Sequence, residues 1–309
     1  MNRLEAMEVF TRVAETGSFT AAAQSLRIPR ASATTRVQAL EANLGVKLLH
    51  RTTRRVSLTS DGAVYFEECR RLLKELAALE ESLGAASARP RGRLRVDVPA
   101  SAARNLIAPA LPMFLAQNPE VVVELGSTDR AVDLVAEGID CVIRGGDVHD
   151  ESLAARRLGA LPVITCAAPT YLRRHGTPRS PHELAGHHFV NYFSSRSGRV
   201  FEVDFARGDE ELSFHVPHRV AANDAETWIS LALAGLGLLQ VPAGPHVRRL
   251  VREGKLKRVL KDWNAPALPM TVLYPPTRSL PARVRVFIDW VVALYATEVK
   301  DAEAFVRRG

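Results

Sequence analysis

The segment from Arg30 to Glu41 carries small hydroxyl and amide side chains that fall on one face of a helix. At 3.6 residues per turn, Ala31, Thr35 and Gln38 lie opposite the apolar positions of the same segment. Side chains this short can approach the edges of nucleic-acid bases, where they donate and accept hydrogen bonds. The pattern therefore indicates a helix that reads bases. The predicted contacts on this helix are Arg30, Ser32, Thr34, Thr35 and Gln38.

Two helices must position this face. The apolar residues of the base-reading helix recur at helical spacing and pack it onto its own domain. A shorter helix, which Ser18 can cap, precedes it, and Pro29 separates the two because proline stops a helix. The spacing predicts a helix-turn-helix. The residues predicted to face inwards are Phe19, Ala22, Ala23 and Leu26 on the first helix, and Ala33, Val37, Leu40 and Leu44 on the second.

An arginine-rich stretch follows these two helices. From Leu26 to Ser57 the chain has seven Lys or Arg and a single acid, Glu41. Residues with high β propensity flank a polar turn, which predicts a hairpin with arginines at its tip. A charge run most often only keeps a surface solvated. Here the charges lie beside the base-reading helix, which favours contact with DNA phosphates by Arg51, Arg54 and Arg55.

Five short motifs follow one another between residues 1 and 62. They are LEAMEVF at 4–10, ETGSFTAAA at 15–23, LE at 40–41, LGV at 44–46 and RTTRR at 51–55. Together they resemble the N-terminal winged helix-turn-helix domain of LysR-type transcriptional regulators, which implies sequence-specific binding of double-stranded DNA. The chain departs from the family at Pro29-Arg30, where family members usually have a serine. The capping hydroxyl and its DNA contact are therefore not carried over.

The composition is that of a two-domain globular protein. A length of 309 residues with 47% hydrophobic residues allows about two cores. The net charge of +7 lies mainly in the first third, since residues 1–93 contain 15 Lys and Arg against 10 Asp and Glu, and the remainder 26 against 24. No secretory signal precedes the first amphipathic helix, and the longest nearly apolar run falls short of the ~20 residues of a membrane span. We expect a cytoplasmic protein with no membrane partner.

The sequence offers no catalytic or metal site. Cys69, Cys141 and Cys166 are odd in number and widely spaced, which argues against a disulfide framework and against a thiol metal site. Cys141 and Cys166 fall in predicted buried strands, which favours packing over oxidant sensing. No nucleophile elbow, phosphate loop or His-Glu-x-x-His helix is present. We predict no catalytic residues, no metal and no cofactor.

A heptad pattern follows the hairpin. Thr59 can cap a helix whose apolar positions alternate at spacings of four and three, which is typical of paired helices. Pairing would place two winged domains on one duplex as a symmetric dimer. Proline and glycine at 89–93 then indicate a hinge. The predicted seam residues are Tyr65, Cys69, Leu72, Leu76, Leu79 and Leu83.

Residues 94–309 alternate strands with helices, which predicts an α/β domain. Strands are predicted at 94–98, 121–125, 141–144, 163–167, 236–241 and 270–274. The segments 109–119, 129–140 and 234–242 resemble the periplasmic-binding-protein-type effector domain of LysR-type regulators. This resemblance implies two lobes that cross over near Leu161 and Ala265. The predicted divisions are a DNA-binding domain at 1–58, a dimerising linker helix at 59–88, a hinge at 89–93, lobe I at 94–161 and 266–309, and lobe II at 162–265.

The predicted fold class is therefore an α+β multidomain chain. It comprises an all-α-rich winged helix-turn-helix, a long linker helix and a two-lobed α/β periplasmic-binding-protein-like effector domain.

Polar residues at the carboxyl ends of the predicted strands mark a ligand crevice. Hydroxyls, one guanidinium and helix N-termini suit an anion, so we predict a small carboxylate effector. Structural roles compete: Ser127 and Thr128 can cap a helix that begins at Asp129, Arg144 can pair with Asp140 or Asp147, and Asn223 is a good N-cap. The predicted effector contacts are Ser101, Ser127, Thr128, Arg144, Asn223 and Thr227.

The combined prediction is a transcriptional regulator that responds to a small molecule. Its expected partners are double-stranded DNA, the effector, further copies of the chain as a dimer or a dimer of dimers, and RNA polymerase. Two alternatives stay open. One is an architectural DNA-binding protein that oligomerises without a ligand, and the other is a two-lobed α/β enzyme.

Overall fold

The computed structural model of the protein describes residues 2–51, 56–83, 89–130, 132–146, 150, 152–195, 197–277 and 280–308. Of residues 51, 74, 75 and 77–83 it describes the backbone alone. The chain divides into two compact units, Met1–Ala88 with Thr277–Pro281, and Arg89–Pro276 with Ala282–Gly309. Among the helices of the described residues, none combines the length and the apolar character that a membrane crossing needs.

The first unit contains the predicted helix-turn-helix and hairpin. Ser18 caps the second helix as predicted, with its Oγ accepting from the Ala21 amide at 3.3 Å. The hairpin strands pair antiparallel, with Leu49 opposite Leu58 and Arg51 opposite Val56. The elements are α1 (Arg3–Thr16), α2 (Phe19–Ser25), α3 (Arg30–Leu44), β1 (Leu49–Arg51), β2 (Val56–Leu58) and α4 (Ser60–Leu83).

The core of this unit draws on α1 to α4 and corrects part of the predicted seam. Phe10 is fully buried, and its ring lies 5.7 Å from that of Tyr65. Cys69 is 1% exposed in the same core, whereas Leu72 is 44% exposed. Tyr65 and Cys69 are therefore used for packing within the unit, because the first half of α4 lies against α1. The part of the seam that is left for a partner begins at Leu72.

Glu41 occupies an inward position that the sequence pattern did not indicate. Its side chain is 2% exposed, and Oε1 accepts from the amides of Leu48 at 3.0 Å and Leu49 at 3.2 Å. Oε2 pairs with Lys47 Nζ at 3.3 Å. Leu44, which was predicted to face inwards, is 36% exposed, because α3 ends there and Gly45 (φ +71°) turns the chain. Glu41 thus ties α3, the predicted base-reading helix, to the start of the β1–β2 hairpin, which is the predicted wing.

The wing also lies close against α4. Thr59 Oγ1 donates to the Lys47 carbonyl at 2.7 Å and accepts from the Gly62 amide at 2.9 Å, so it caps α4 as predicted. A Cβ at Gly62 would lie 1.9 Å from the Leu48 carbonyl oxygen. Only glycine allows this approach of helix to wing.

The second unit is built on one nine-stranded sheet with the order β10-β7-β11-β6-β13-β5-β3-β4, and β12 pairs with β6. β8 and β9 form a separate hairpin. The strands are β3 (Arg91–Val98), β4 (Glu120–Ser127), β5 (Cys141–Gly145), β6 (Ala154–Ala167), β7 (Phe189–Tyr192), β8 (Val203–Arg207), β9 (Glu210–Phe214), β10 (His218–Ala222), β11 (Leu238–Pro242), β12 (Lys257–Val259) and β13 (Ala265–Tyr274).

Helices cover this sheet and connect its strands. They are α5 (Ala100–Ala102), which a π-helical turn (Ala103–Ile107) joins to α6 (Ala108–Gln117), then α7 (Pro169–His175), a 3₁₀ helix (Pro181–Gly186), α8 (Ala225–Leu233), α9 (Pro245–Arg252) and α10 (Ala282–Arg308).

The long strand β6 connects the two halves of the sheet. Its pairing with β13 runs from Ala154 to Val163, where Val163 lies opposite Ala265, and its residues 163–167 pair with β11. The crossover positions predicted near Leu161 and Ala265 fall on β6 and β13, next to Val163, which pairs with both neighbouring strands. The lobe boundaries themselves stay a prediction.

Two local expectations are settled by side-chain contacts. The helix predicted to begin at Asp129 is absent from the described residues of this segment, because the Asp133 carboxylate accepts from the amides of Val135 and Ala136 and holds a turn instead. Cys141 and Cys166 are fully buried in β5 and β6. Burial raises the pKa of the Cys166 thiol to about 12, which suits a packing residue.

The Glu41 contacts generate a prediction about the wing. We expect Glu41→Ala to lower the protection of the Leu48 and Leu49 amides against hydrogen exchange by about 10- to 150-fold, since each loses a charge-assisted bond of roughly 1.5–3 kcal/mol. Glu41→Gln is the matched control, because its carbonyl oxygen can replace the single Oε1 that accepts both bonds. Exchange followed by mass spectrometry measures the effect. Equal losses in the two variants would contradict this role.

Candidate DNA-binding surface and effector cleft

The polar face of α3 is exposed as the sequence predicted. Ala31, Thr35 and Gln38 are exposed, and so is Arg30 at the start of the helix. Ser32 and Thr34 are half-buried at the edges of this face. Pro29 occupies the N-cap position with φ −61° and ψ 139° and supplies no side-chain cap. The first turn of α3 therefore presents backbone amides and the Arg30 side chain, rather than a capping hydroxyl.

The threonine hydroxyls on this face donate to the helix itself. Thr34 Oγ1 donates to the Arg30 carbonyl at 3.2 Å, and Thr35 Oγ1 donates to the Ala31 carbonyl at 3.0 Å. Thr35 therefore offers its methyl group and a hydroxyl lone pair outwards, while its hydrogen is engaged. A methyl group contacts the C5-methyl of thymine well. Gln38, by contrast, carries an amide that both donates and accepts.

Not every basic side chain near α3 is available to DNA. Arg36 Nη2 lies 3.1 Å from Glu5 Oε2, and Lys47 is paired with Glu41. The sequence count of seven cations did not reveal these pairs, because Glu5 is remote in the chain. The backbone of Arg51 ends β1, whereas Arg54 and Arg55 lie outside the described residues. Their phosphate contacts stay predictions.

A cleft of about 1500 Å³ lies within the second unit, on the concave side of the sheet. Residues from both ends of the sheet line it, among them Ser101, Asp129, Tyr192 and Trp228. Ser101 and Arg144, two of the predicted effector contacts, are on this lining. The other four, Ser127, Thr128, Asn223 and Thr227, are not among its described lining residues.

Local bonds account for two of those four residues. Thr128 Oγ1 accepts from the Arg130 amide at 3.2 Å within a turn. Asn223 Nδ2 donates to Ser195 Oγ at 3.3 Å, and the Asn223 carbonyl accepts from the Tyr192 hydroxyl at 2.8 Å. Both residues therefore have structural contacts, but not the capping roles that the sequence left open, since no helix begins at Asp129 among the described residues and Asp224 is the N-cap of α8.

Arg144 is held by a partner that the sequence did not suggest. Its Nη2 lies 2.7 Å from Asp97 Oδ1, and the guanidinium also donates to the carbonyls of Ile143 and Arg130. The Asp140 carboxylate, one of the two expected partners, instead accepts from the Arg95 amide. Burial raises the pKa of Asp97, and the Arg144 charge opposes that shift. Arg144 is thus part of a buried ion pair at the cleft wall.

Carboxylates also occupy the start of α8. Asp224 is the N-cap, and its Oδ1 accepts from the amides of Glu226 at 3.1 Å and Thr227 at 3.0 Å. The first amide, that of Ala225, donates to Asp129 Oδ2 at 2.9 Å. From the sequence, Asp129 was expected only at a helix start. Its position two residues after the carboxyl end of β4 is the feature that could have indicated a residue of the cleft.

Aromatic side chains form one side of the cleft. The Tyr192 ring lies 5.1 Å from that of Trp228 and 6.2 Å from that of Phe201, and all three line the cavity. Burial, with the nearby charges of Asp129 and Asp224, raises the pKa of the Tyr192 hydroxyl. The described residues contain no cluster of three or more His, Cys, Asp or Glu side chains arranged to hold a metal.

Comparison with known proteins matches both units. Residues 4–63 match the model for the bacterial regulatory helix-turn-helix protein, lysR family, and residues 87–296 match that for the LysR substrate binding domain. The chain is 41% identical over 297 residues to an HTH-type transcriptional repressor of Pseudomonas aeruginosa, covering 96% of this chain and 93% of that protein. It is 37% identical over 290 residues to the HTH-type transcriptional activator AaeR of Escherichia coli, covering 94% and 93%.

Solved structures agree with these sequence matches. The LysR-type regulator CrgA of Neisseria meningitidis superposes with a TM-score of 0.60 at 32% identity, covering 94% of this chain and 98% of that one. The full-length virulence activator AphB of Vibrio cholerae gives 0.59 at 29% identity, with the same coverage. These matches confirm the predicted fold class, and the matched relatives are regulators rather than enzymes. The chain belongs to the family of LysR-type transcriptional regulators, with a DNA-binding domain and an effector-binding domain.

Proposed function

We propose that this regulator reads its operator with the exposed face of α3 and holds the flanking phosphates with Arg30 and the wing. The observation that carries the proposal is the α3 face itself, where Ala31, Thr35 and Gln38 are exposed and no large side chain intervenes. Arg51, Arg54 and Arg55 are assigned to phosphates, which fix the register of a protein on DNA without reading its sequence.

The cleft of the second unit is assigned to the effector. It is large enough for a small metabolite, and both ends of the sheet line it. A ligand changes the activity of a regulator only when its affinity differs between two arrangements of the protein. A ligand held between the two ends of one sheet can favour one spacing of those ends. The carboxylate effector predicted from the sequence stays a prediction. The hydrogen bonds that Asp129 makes in the cleft are relevant to it.

We further propose that α4 pairs two copies of the chain. Leu72 is exposed on this helix, and Leu76, Leu79 and Leu83 continue its spacing of four, three and four. A symmetric pair presents two recognition helices to two half-sites of one duplex. The same proposal includes assembly into a dimer of dimers, contact with RNA polymerase and a cytoplasmic location.

Selection of genomic DNA fragments by the purified chain tests the function. We expect enrichment of fragments that contain two related half-sites about one helical turn or a multiple of it apart, as symmetric binding requires. Repeating the selection with candidate metabolites reports the effector. Uniform recovery of all fragments at moderate salt would support an architectural protein instead.

Thr35 supplies a test of base reading. On a selected operator, Thr35→Ala should change the preference at one base pair by about 1–3 kcal/mol, because it removes the outward methyl group. Thr35→Val should keep most of that preference, since the hydroxyl hydrogen is already bonded to Ala31. Fluorescence anisotropy on single-base operator variants measures both. Equal losses on operator and random DNA would count against base reading.

Arg54 supplies a test of phosphate binding. Arg54→Ala should weaken binding to all duplexes alike and make the slope of log K against log salt shallower by about one. Arg36→Ala is the matched control, because Arg36 is paired with Glu5 and should contribute less to that slope. A loss confined to one operator, or equal slopes for both variants, would contradict the assignment.

Leu72 supplies a test of pairing through α4. Leu72→Asp should weaken self-association by about 100-fold or more, which is roughly 2.7 kcal/mol, because it places two charges in an apolar seam. Val64→Asp is the control, since Val64 is 70% exposed on the same helix but off the seam. Sedimentation velocity measures both. Dimers of unchanged stability in Leu72→Asp would remove α4 as the pairing element.

A further inference from the structure

One carboxylate joins the two ends of the sheet. Asp129 follows β4, the strand at one edge, and its Oδ1 accepts from the Ala100 amide at 3.3 Å. Its Oδ2 accepts from the amide of Ala225, which follows β10 at the opposite edge, at 2.9 Å. The sheet is therefore curled so far that its edges are bridged by a single side chain. This bridge lies on the wall of the cleft.

Several of the donors that the sequence assigned to an effector anion, the first amides of α8 and the Arg144 guanidinium, already bond to groups of the protein. Of the first three amides of α8, one donates to Asp129 and two donate to Asp224. The Arg144 guanidinium is paired with Asp97 and donates to three backbone carbonyls. A carboxylate would have to displace Asp129 or Asp224 from these amides, or Asp97 from Arg144, to use the same donors.

The charges along the cleft also disfavour an anion. Among the described lining residues, acids outnumber arginines, and this holds after Arg144, which is paired with Asp97, and Glu298, which is paired with Arg248, are set aside. Charges interact more strongly in a partly dehydrated cleft than in water, so an incoming carboxylate meets repulsion there. The lining acids are Asp129, Asp150, Glu202, Asp204 and Glu298, and the lining arginines are Arg144 and Arg157.

We propose that Asp129 determines the effector specificity of this cleft. Its carboxylate is part of the protein and already accepts from the first amides of α5 and α8. The cleft therefore excludes small carboxylates and accepts neutral or cationic ligands. The rings of Tyr192, Phe201 and Trp228 offer aromatic faces that suit such ligands. The proposal rests on the proposed function in taking this cleft as the effector site. It replaces the carboxylate predicted from the sequence.

Removal of the Asp129 carboxylate should create a site for a free one. Asp129→Ala leaves the Ala100 and Ala225 amides facing a space that formate can fill. We expect about 200 mM formate to raise the melting temperature of this variant by about 2 °C over equal chloride, as ligand binding to the folded state requires. The wild type should show no formate-specific rise, because its own carboxylate is in place.

Asp129→Asn is the matched control. Its side chain fills the same space and keeps one acceptor, so formate should not raise its melting temperature above that in chloride. An equal formate effect in all three proteins would overturn the proposal, and so would its absence from a folded Asp129→Ala variant. Circular dichroism establishes that the variants are folded.

The wild type gives a second test, which stands even when Asp129→Ala does not fold. Benzoate, benzamide and benzylamine share one ring and carry charges of −1, 0 and +1 near neutral pH. In thermal shift at equal ionic strength, benzoate should stabilise the wild type least of the three. A larger stabilisation by benzoate than by benzylamine would overturn the proposal.

Operator binding separates this proposal from the proposed function. The wild-type chain and both variants are assayed on the selected operator without ligand. Failure of the wild type to bind any operator would refute the proposed function, while the formate result would still decide the role of Asp129. Normal operator binding with an unchanged anion response would refute the role of Asp129 alone.

Discussion

Buried backbone amides must find acceptors, and in both units of this protein a carboxylate side chain supplies them where secondary structure ends. Glu41 accepts from two amides at the start of the wing, and Asp129 accepts from the first amides of α5 and α8. An amide left unpaired in either place would cost about as much as a lost hydrogen bond. Glu41 therefore joins α3 to the start of the neighbouring hairpin, whereas Asp129 joins two helix starts that are distant along the chain.

On the DNA-binding unit, this junction fixes the wing relative to the recognition helix. Glu41 lies on the same helix as Thr35 and Gln38, so the base-reading face and the wing are parts of one rigid arrangement. The basic side chains near α3 fall into two groups, those paired with acids of the protein and those that are exposed. Arg36 and Lys47 are paired with acids of the protein, whereas Arg30 is exposed at the start of α3. In the proposed function, specificity and electrostatic attraction therefore reside in different side chains of the same small surface.

On the effector unit, the curled sheet makes one cleft from two distant edges. Asp129 bridges those edges, and Asp97 holds Arg144 at the wall. The protein thus satisfies the first amides of α8 and the Arg144 guanidinium with its own acids, and in our proposal this determines which ligands the cleft selects. Members of one family can share this fold and differ in effector, because the selection rests on a few side chains at the junction of the two edges.

The sequence alone determined the helix-turn-helix, the hairpin, six strands of the sheet and the exposed face of α3, because helical and strand periodicity assign side chains to faces. Periodicity does not indicate which other part of the protein a given face packs against. Tyr65 and Cys69 matched a heptad seam but belong to the core that contains Phe10, and Glu41, counted as the single acid of a basic stretch, is buried. Asp129 meets the Ala225 amide 96 residues away. Only the tertiary structure decided such contacts, because they depend on which chain segments are brought together.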